Sequence, residues 1–403
     1  MVRCLNDFRV KLGSKDYVPI MLGGMGTNIS TAELVLALEK LGGIANLSDA
    51  MMVEVCDRLF GTTYSIDKAK ANMQYKGTAD KTGLLFDSTA VREATMRYVS
   101  DVMSKATGNG LVLINCMEKL TMGDSLETLK VRLNAALDAG IQGITLSAGL
   151  HLSSLRLIQD NPRFHDALIG IVVSSRRALN LFLRRTKSLN RLPDYIVVEG
   201  PLAGGHLGFG EDWKDFNLGD IVRDVKDYLK SESLNIPVFA AGGIFTGADA
   251  VKMMTENGAD GVQVATRFTI TQESGLPLNV KRAYLNAKAE DVEVNHASPT
   301  GYLMRMLKQS PALQGEMPPN CEPYGYLLNH GHCPYADQWW ERRKNPQCEK
   351  TRCCLCTHMK LYNVWTCGAS VSRLKEVTQK DENGQWIIPS AEEVYNDYRF
   401  GTD

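Results

Sequence analysis

The 403 residues of the chain suffice for one barrel-sized domain with an appendage, or for two to three ordinary domains. A formal net charge of -1, from 45 basic and 46 acidic residues, gives no field that would favour a nucleic-acid partner. We therefore expect a small-molecule substrate. No apolar run reaches the about eighteen residues of a membrane span, and the N-terminus lacks a signal-peptide core, so the sequence predicts a cytoplasmic protein without a membrane partner.

Short apolar runs alternate with amphipathic stretches between residues 18 and 268. Each run is rich in β-branched residues and apolar on both faces, as are the strands of a covered parallel sheet. The eight predicted strands are 18–22, 42–47, 111–115, 143–147, 169–173, 195–200, 236–243 and 261–266. Most are followed by helical periodicity. This pattern predicts an α/β protein with a closed (β/α)8 TIM barrel, and an open doubly wound sheet is the alternative.

The first strand runs into Gly23-Gly24-Met25-Gly26, ahead of a helix that we predict Ser30 to cap. Closely spaced glycines let the backbone approach a flat ligand and leave N–H groups able to donate hydrogen bonds. This motif therefore indicates a ligand site, with a tight strand-to-helix turn as the structural alternative.

A histidine follows the strand at 195–200, directly after the small residues Ala203, Gly204 and Gly205. In a barrel the C-terminal ends of the strands line the active site, so we expect the imidazole of His206 at the barrel mouth. Histidine titrates near neutral pH and can accept a proton from a carbon acid or donate a hydrogen bond to a substrate oxygen. The sequence predicts a catalytic His206; a loop histidine that caps backbone groups is the alternative.

Two further strand-to-turn motifs, Gly242-Gly243 and Ala265-Thr266, lie one βα unit apart. The corresponding turns of many barrels bind phosphate through backbone N–H groups and a helix N-terminus. We expect a phosphate site here, to which Thr266 would add a hydroxyl. Arg267 either pairs with the phosphate or forms a salt bridge behind the sheet.

Together these motifs resemble the nitronate monooxygenase family, formerly the 2-nitropropane dioxygenases, whose relatives include FMN-containing enoyl-acyl-carrier-protein reductases. The resemblance is carried by PIMLGGMG, VVEGPLAGGHLGFGEDW, IPVFAAGGIFTGADA, GADGVQVATRF and ASPTGYLMRML, within residues 18–310. It implies a barrel that holds FMN non-covalently, with His206 as the catalytic histidine. The cofactor contacts that it implies are Gly24, Met25, Asn115, Glu199, Ala203, Gly204, Gly205, Gly242, Gly243, Gln263, Ala265 and Thr266.

The resemblance implies FMN-dependent oxidation of alkyl nitronates with O2, in which His206 acts as a base or a hydrogen-bond donor. The alternative is reduction of an enoyl thioester, for which NAD(P)H reduces the flavin. A non-redox, phosphate-binding barrel enzyme and a binding protein organised by a metal are two further alternatives. The sequence does not separate NADH from NADPH, and assembly as a homodimer stays open.

The composition changes after about Met306, where Pro, Gly, Trp and Cys accumulate. We predict an FMN-binding barrel over 1–310 and a Cys-rich, loop-rich extension over 311–403 that packs on it, with a short helix near 370–380. Zinc or an iron–sulfur cluster is one interpretation of the cysteines, although their spacing matches neither a zinc ribbon nor a ferredoxin; free thiols and a redox-active pair are the alternatives. The candidate metal ligands are Cys348, Cys353, Cys354, Cys356 and Cys367.

Overall fold

The computed structural model of the protein describes residues 3–84, 86–118 and 125–401, with Ser125 as backbone only. The strands in this part of the chain are β1 Val10–Leu12, β2 Lys15–Tyr17, β3 Ile20–Leu22, β4 Ile44–Ser48, β5 Leu111–Met117, β6 Gly143–Ser147, β7 Leu168–Val173, β8 Tyr195–Glu199, β9 Gly205–His206, β10 Val238–Ala241, β11 Gly261–Val264, β12 Val292–Asn295 and β13 Met304–Leu307. Eight of them close into a parallel barrel in the order β3-β4-β5-β6-β7-β8-β10-β11.

Helices connect the barrel strands and cover them. The α-helices are α1 Ala32–Lys40, α2 Met52–Phe60, α3 Tyr64–Ala71, α4 Ser88–Lys105, α5 Ser125–Asp138, α6 Ser154–Leu157, α7 Arg176–Thr186, α8 Leu218–Ser231, α9 Gly247–Asn257, α10 Leu278–Asn286, α11 Pro334–Lys344, α12 Leu355–Lys360 and α13 Ala391–Phe400. The 3-10 helices are Leu5–Asp7, Met73–Tyr75, Lys187–Leu189, Glu211–Asp215, Thr266–Ile270, Ala289–Asp291 and Ala369–Glu376.

The predicted TIM barrel is confirmed, and each of the eight predicted strands supplies one barrel strand. The barrel closes where β11 pairs with β3, with Val262 opposite Ile20, which excludes the open doubly wound sheet. The strands are buried on both faces because one face meets the helices and the other fills the barrel interior. Met21 and Phe239 belong to the buried interior cluster, whereas Ile20 belongs to the cluster shared with the helices.

The helix after β3 begins one residue later than predicted. Thr31 is its cap, because Thr31 Oγ1 accepts a hydrogen bond from the N–H of Leu34 at 3.0 Å. Ser30 instead donates through Oγ to the carbonyl of Gly23 and accepts from the N–H of Met25, both at 2.9 Å. The hydroxyl of Ser30 therefore holds the glycine turn rather than the helix end.

The chain after residue 310 contains more regular structure than expected, including α11, α12 and α13. The short helix predicted near 370–380 is the 3-10 helix Ala369–Glu376. α13 packs on α1 and α9 and buries Tyr395 and Tyr398. A domain boundary at 310 stays a prediction. None of the described helices is both long and apolar enough to cross a membrane.

Candidate active site

His206 lies at the barrel mouth, on the two-residue strand β9 that follows the loop after β8. β9 pairs antiparallel with β13, with His206 opposite Met304, and β12 completes this small sheet. The half-buried imidazole is hydrogen-bonded through Nε2 to Oγ of Ser298 at 2.6 Å. Ser298 is itself fully buried and lies 2.7 Å from Oγ1 of Thr300. A chain of two hydroxyls therefore fixes the orientation of the ring.

Burial controls the charge of this imidazole. It lowers the pKa of His206 from 6.5 to about 4, because the charged form loses its hydration. The ring is therefore neutral at neutral pH and carries one N–H donor and one nitrogen lone pair. Such a ring is suited to donating a hydrogen bond to an anionic substrate and is a weak base.

Arg305 on β13 supports the loop that carries His206. Its side chain is 2% exposed, and Nη1 donates to the carbonyls of Pro201 and Ala203, both at 2.6 Å. Its Nη2 has no hydrogen-bond partner among the described residues. Burial raises the pKa of Glu199, at the end of β8, to about 7, and the positive charge of Arg305 opposes this rise. The motif analysis did not identify Ser298 or Arg305, although both lie in the quoted segment ASPTGYLMRML.

The raised pKa of Glu199 predicts a pH-dependent loss of stability. The folded protein retains this proton above the ordinary pKa of 4.5, so the stabilisation is present below that value and is lost as pH rises through about 7. We expect Glu199→Gln to match the wild-type melting temperature near pH 5 and to exceed it near pH 8. Glu256→Gln, at an exposed position on α9, is the control. If the melting temperatures of Glu199→Gln and wild type differed by the same amount at pH 5 and pH 8, the raised pKa of Glu199 would be contradicted.

The glycine turn after β3 meets the end of β5. Nδ2 of Asn115 donates to the carbonyl of Gly24 at 3.3 Å, and a Cβ added to Gly24 would lie 2.1 Å from Cβ of Asn115. A side chain is therefore excluded at Gly24 by its contact with Asn115. Met25 follows and packs partly against the barrel core.

The two turns predicted to bind phosphate are neighbours, because β10 and β11 pair with Ala241 opposite Gln263. Gly242 and Gly243 follow β10, and Ala265-Thr266 follows β11 at the start of a 3-10 helix. The predicted residues Gly242, Gly243, Gln263, Ala265 and Thr266 are therefore brought to one edge of the barrel.

Arg267 points to α13 rather than into this edge. Its buried guanidinium pairs with Asp397 at 2.5 Å and lies over the ring of Tyr398, 4.9 Å from the ring centroid. Of the two alternatives for Arg267, the structure shows the salt bridge behind the sheet.

The C-terminal extension forms one wall of the mouth. A Cβ added to Gly204 would lie 2.5 Å from the carbonyl carbon of Cys367, and the N–H of Ala369 donates to the carbonyl of Leu202. A Cβ on Gly368 would lie 2.6 Å from Oγ1 of Thr266. Residues 367–369 thus run between the loops that follow β8 and β11.

The five candidate metal ligands are not brought to one point. Sγ of Cys348 lies 3.9 Å from Oε1 of Glu341, on the surface, whereas Cys367 packs at the barrel mouth beside Arg305. Cys353, Cys354 and Cys356 lie together where α12 begins. Among the described residues, no group of three or more His, Cys, Asp or Glu side chains is placed to hold a single metal ion.

Comparison with known proteins relates the chain to flavoenzymes. The family model described as nitronate monooxygenase matches residues 10–326. A probable nitronate monooxygenase of Staphylococcus saprophyticus is 29% identical over 189 residues, 46% of this chain and 47% of the relative. The chain thus spans about half or less of the curated relatives it matches.

Two solved structures have the same fold. A nitroalkane oxidase from Streptomyces ansochromogenes aligns with a TM-score of 0.58 at 16% identity, covering 94% of each chain. The enoyl reductase domain of MlnA from Bacillus amyloliquefaciens aligns with a TM-score of 0.59 at 14% identity, covering 95% of this chain and 93% of the domain. At these identities the similarity supports the fold alone.

Proposed function

The chain belongs to the nitronate monooxygenase family, and we propose that it is an FMN-dependent oxidoreductase that oxidises alkyl nitronates with O2. The observation that carries this proposal is the neutral imidazole of His206, held by Ser298 at the barrel mouth. An anionic nitronate needs a hydrogen-bond donor, and a neutral imidazole can supply one from its single N–H group.

The residues at the mouth fit a flavin. A Cβ added to Gly205 would meet no atom within 4 Å, so there is open space beside His206. Nη2 of Arg305 is a buried donor without an acceptor in the described part of the chain, and a flavin carries ring carbonyl acceptors. The ring would lie against Gly24, Met25, Asn115, Glu199, Ala203, Gly204, Gly205 and Gln263, and the phosphate against Gly242, Gly243, Ala265 and Thr266. At Gly204 the contact would come from the backbone, because Cys367 fills the side-chain position.

The protein contributes binding and charge control to the reaction. The residues that would hold FMN leave the redox chemistry to the flavin, which would supply the transfer of electrons from the nitronate carbon to O2. His206 would donate its N–H to a nitronate oxygen and so orient the substrate. Since its pKa is about 4, His206 is a weak base, and we expect the preformed nitronate to react faster than the neutral nitroalkane.

The test is anaerobic stopped-flow reduction of the purified yellow protein by propyl-2-nitronate, 2-nitropropane, NADH and NADPH in turn. We expect rapid bleaching of the flavin by the nitronate, slower bleaching by the nitroalkane and recovery of the colour with O2. Rapid bleaching by NADH or NADPH alone would favour the enoyl-thioester reductase. A colourless protein that does not take up FMN would favour a non-redox barrel enzyme.

A further inference from the structure

Four cysteines of the C-terminal extension surround one cavity. Cys321, Cys333, Cys354 and Cys356 all line it and are all buried. They come from three separate stretches of the chain, and each is close enough to the others for their charges to interact. The cavity itself is small, about 20 Å³.

The sulfurs lie at the starts of two helices and in the loop before them. Cys333 is the N-cap residue of α11 and Cys354 is the N-cap residue of α12. Cys356 lies in the first turn of α12, and Cys321 lies in the loop before α11. Burial raises the pKa of Cys321, Cys333 and Cys356, so a metal that binds there must displace their protons.

The geometry disfavours a single ion. Zinc draws four sulfurs to about 2.3 Å from one point, but among the described residues no group of three or more His, Cys, Asp or Glu side chains is placed to hold one metal ion. An iron–sulfur cluster is larger, because sulfide-bridged irons separate the four thiolates. Its usual ligand set is four cysteines. We propose that Cys321, Cys333, Cys354 and Cys356 bind an iron–sulfur cluster of the [4Fe–4S] type. This assignment does not rest on the proposed nitronate reaction.

The cavity adjoins the segment that holds the catalytic imidazole. Pro299 lines the cavity and follows Ser298, the hydrogen-bond partner of His206. On the cysteine side, the N–H of Cys353 donates to the carbonyl of Ala297 at 2.9 Å, and Nη1 of Arg352 donates to the carbonyl of Ser298 at 2.8 Å. A cluster bound here would hold this segment in place, and with it the orientation of the ring.

The experiment is anaerobic reconstitution of the full chain with equal amounts of ferrous and ferric iron and with sulfide, followed by analysis of iron, acid-labile sulfide and zinc. We expect about four irons and four sulfides per chain in the wild type. Serine variants at 321, 333, 354 and 356 should each lose most of both. Cys348→Ser and Cys353→Ser should keep them, and the second is the sharper control because Cys353 adjoins Cys354 without lining the cavity.

Flavin content and circular dichroism of each variant separate loss of the cluster from loss of the fold. If the four variants do not fold, Mössbauer spectra of the wild type loaded with ⁵⁷Fe decide the matter. Wild-type protein without acid-labile sulfide overturns the proposal, and so does stoichiometric zinc. Equal loss of iron in Cys353→Ser would overturn the ligand assignment.

Discussion

The His206→Asn variant is expected to keep its flavin and to lose roughly 100- to 1,000-fold of its turnover with nitronate. Asparagine keeps a polar side chain but cannot place a ring nitrogen opposite Ser298, which lies 2.6 Å from Nε2 of the imidazole. The substrate oxygen would lose its donor while the glycine turns that would hold FMN stay unchanged. Flavin absorbance and the rate of nitronate-driven bleaching, measured on the same preparation, report the two properties separately.

Two further variants define what this result means. His165→Asn changes an exposed histidine before β7 and should leave turnover unchanged. Ser298→Ala should give an intermediate loss of turnover with flavin retained, because the ring keeps its chemistry and loses its orientation. If His206→Asn protein loses its flavin, His206 holds the cofactor rather than the substrate. Turnover within about 3-fold of wild type would remove His206 from the catalytic role.

The barrel was predictable because its signal is local. Each barrel strand is a short β-branched run that is buried on both faces, and the structure has one strand at each predicted run. The position of His206 at the mouth follows from the same rule, since the loop after β8 leaves the carboxyl end of a barrel strand.

The partners of the site were not predictable, because they come from distant parts of the chain. Ser298 is 92 residues from His206, and Arg305 is 102 residues from Ala203. Strand β9 has two residues, which are too few to show any periodicity. The sequence therefore gives no pattern from which its pairing with β13 could be predicted. Arg267 likewise forms its salt bridge with Asp397 only because α13 folds back on the barrel.

The cysteines show how far proximity in sequence can mislead. The sequence groups Cys348 and Cys367 with the crowded run at 353–356, but in the structure Cys348 lies at the surface and Cys367 at the barrel mouth. Cys321 and Cys333, which lie well before that run, line the cavity instead. Tertiary packing, rather than spacing, decides which sulfurs share a cavity.

Replacing Arg305 is expected to have the largest effect on stability. Arg305→Met should lower the free energy of unfolding by on the order of 3–5 kcal/mol, because the carbonyls of Pro201 and Ala203 lose a charged donor. The carboxyl of Glu199 also loses its compensating positive charge. Urea unfolding measures the change, with Arg185→Met on the exposed face of α7 as the control.

The charge contribution of Arg305 can be separated from its hydrogen bonds. Arg305→Lys keeps the charge but lacks the planar fork, so it should recover only part of the lost stability. Adding Glu199→Gln to Arg305→Met should also recover part, because it removes the carboxylate that Arg305 offsets. Both effects should grow as pH rises above about 7, because removal of Arg305 raises the pKa of Glu199 further and the carboxyl then ionises at higher pH. An Arg305→Met protein within about 1 kcal/mol of wild type would mean that the loop after β8 is held by other contacts, and that His206 is positioned by Ser298 alone.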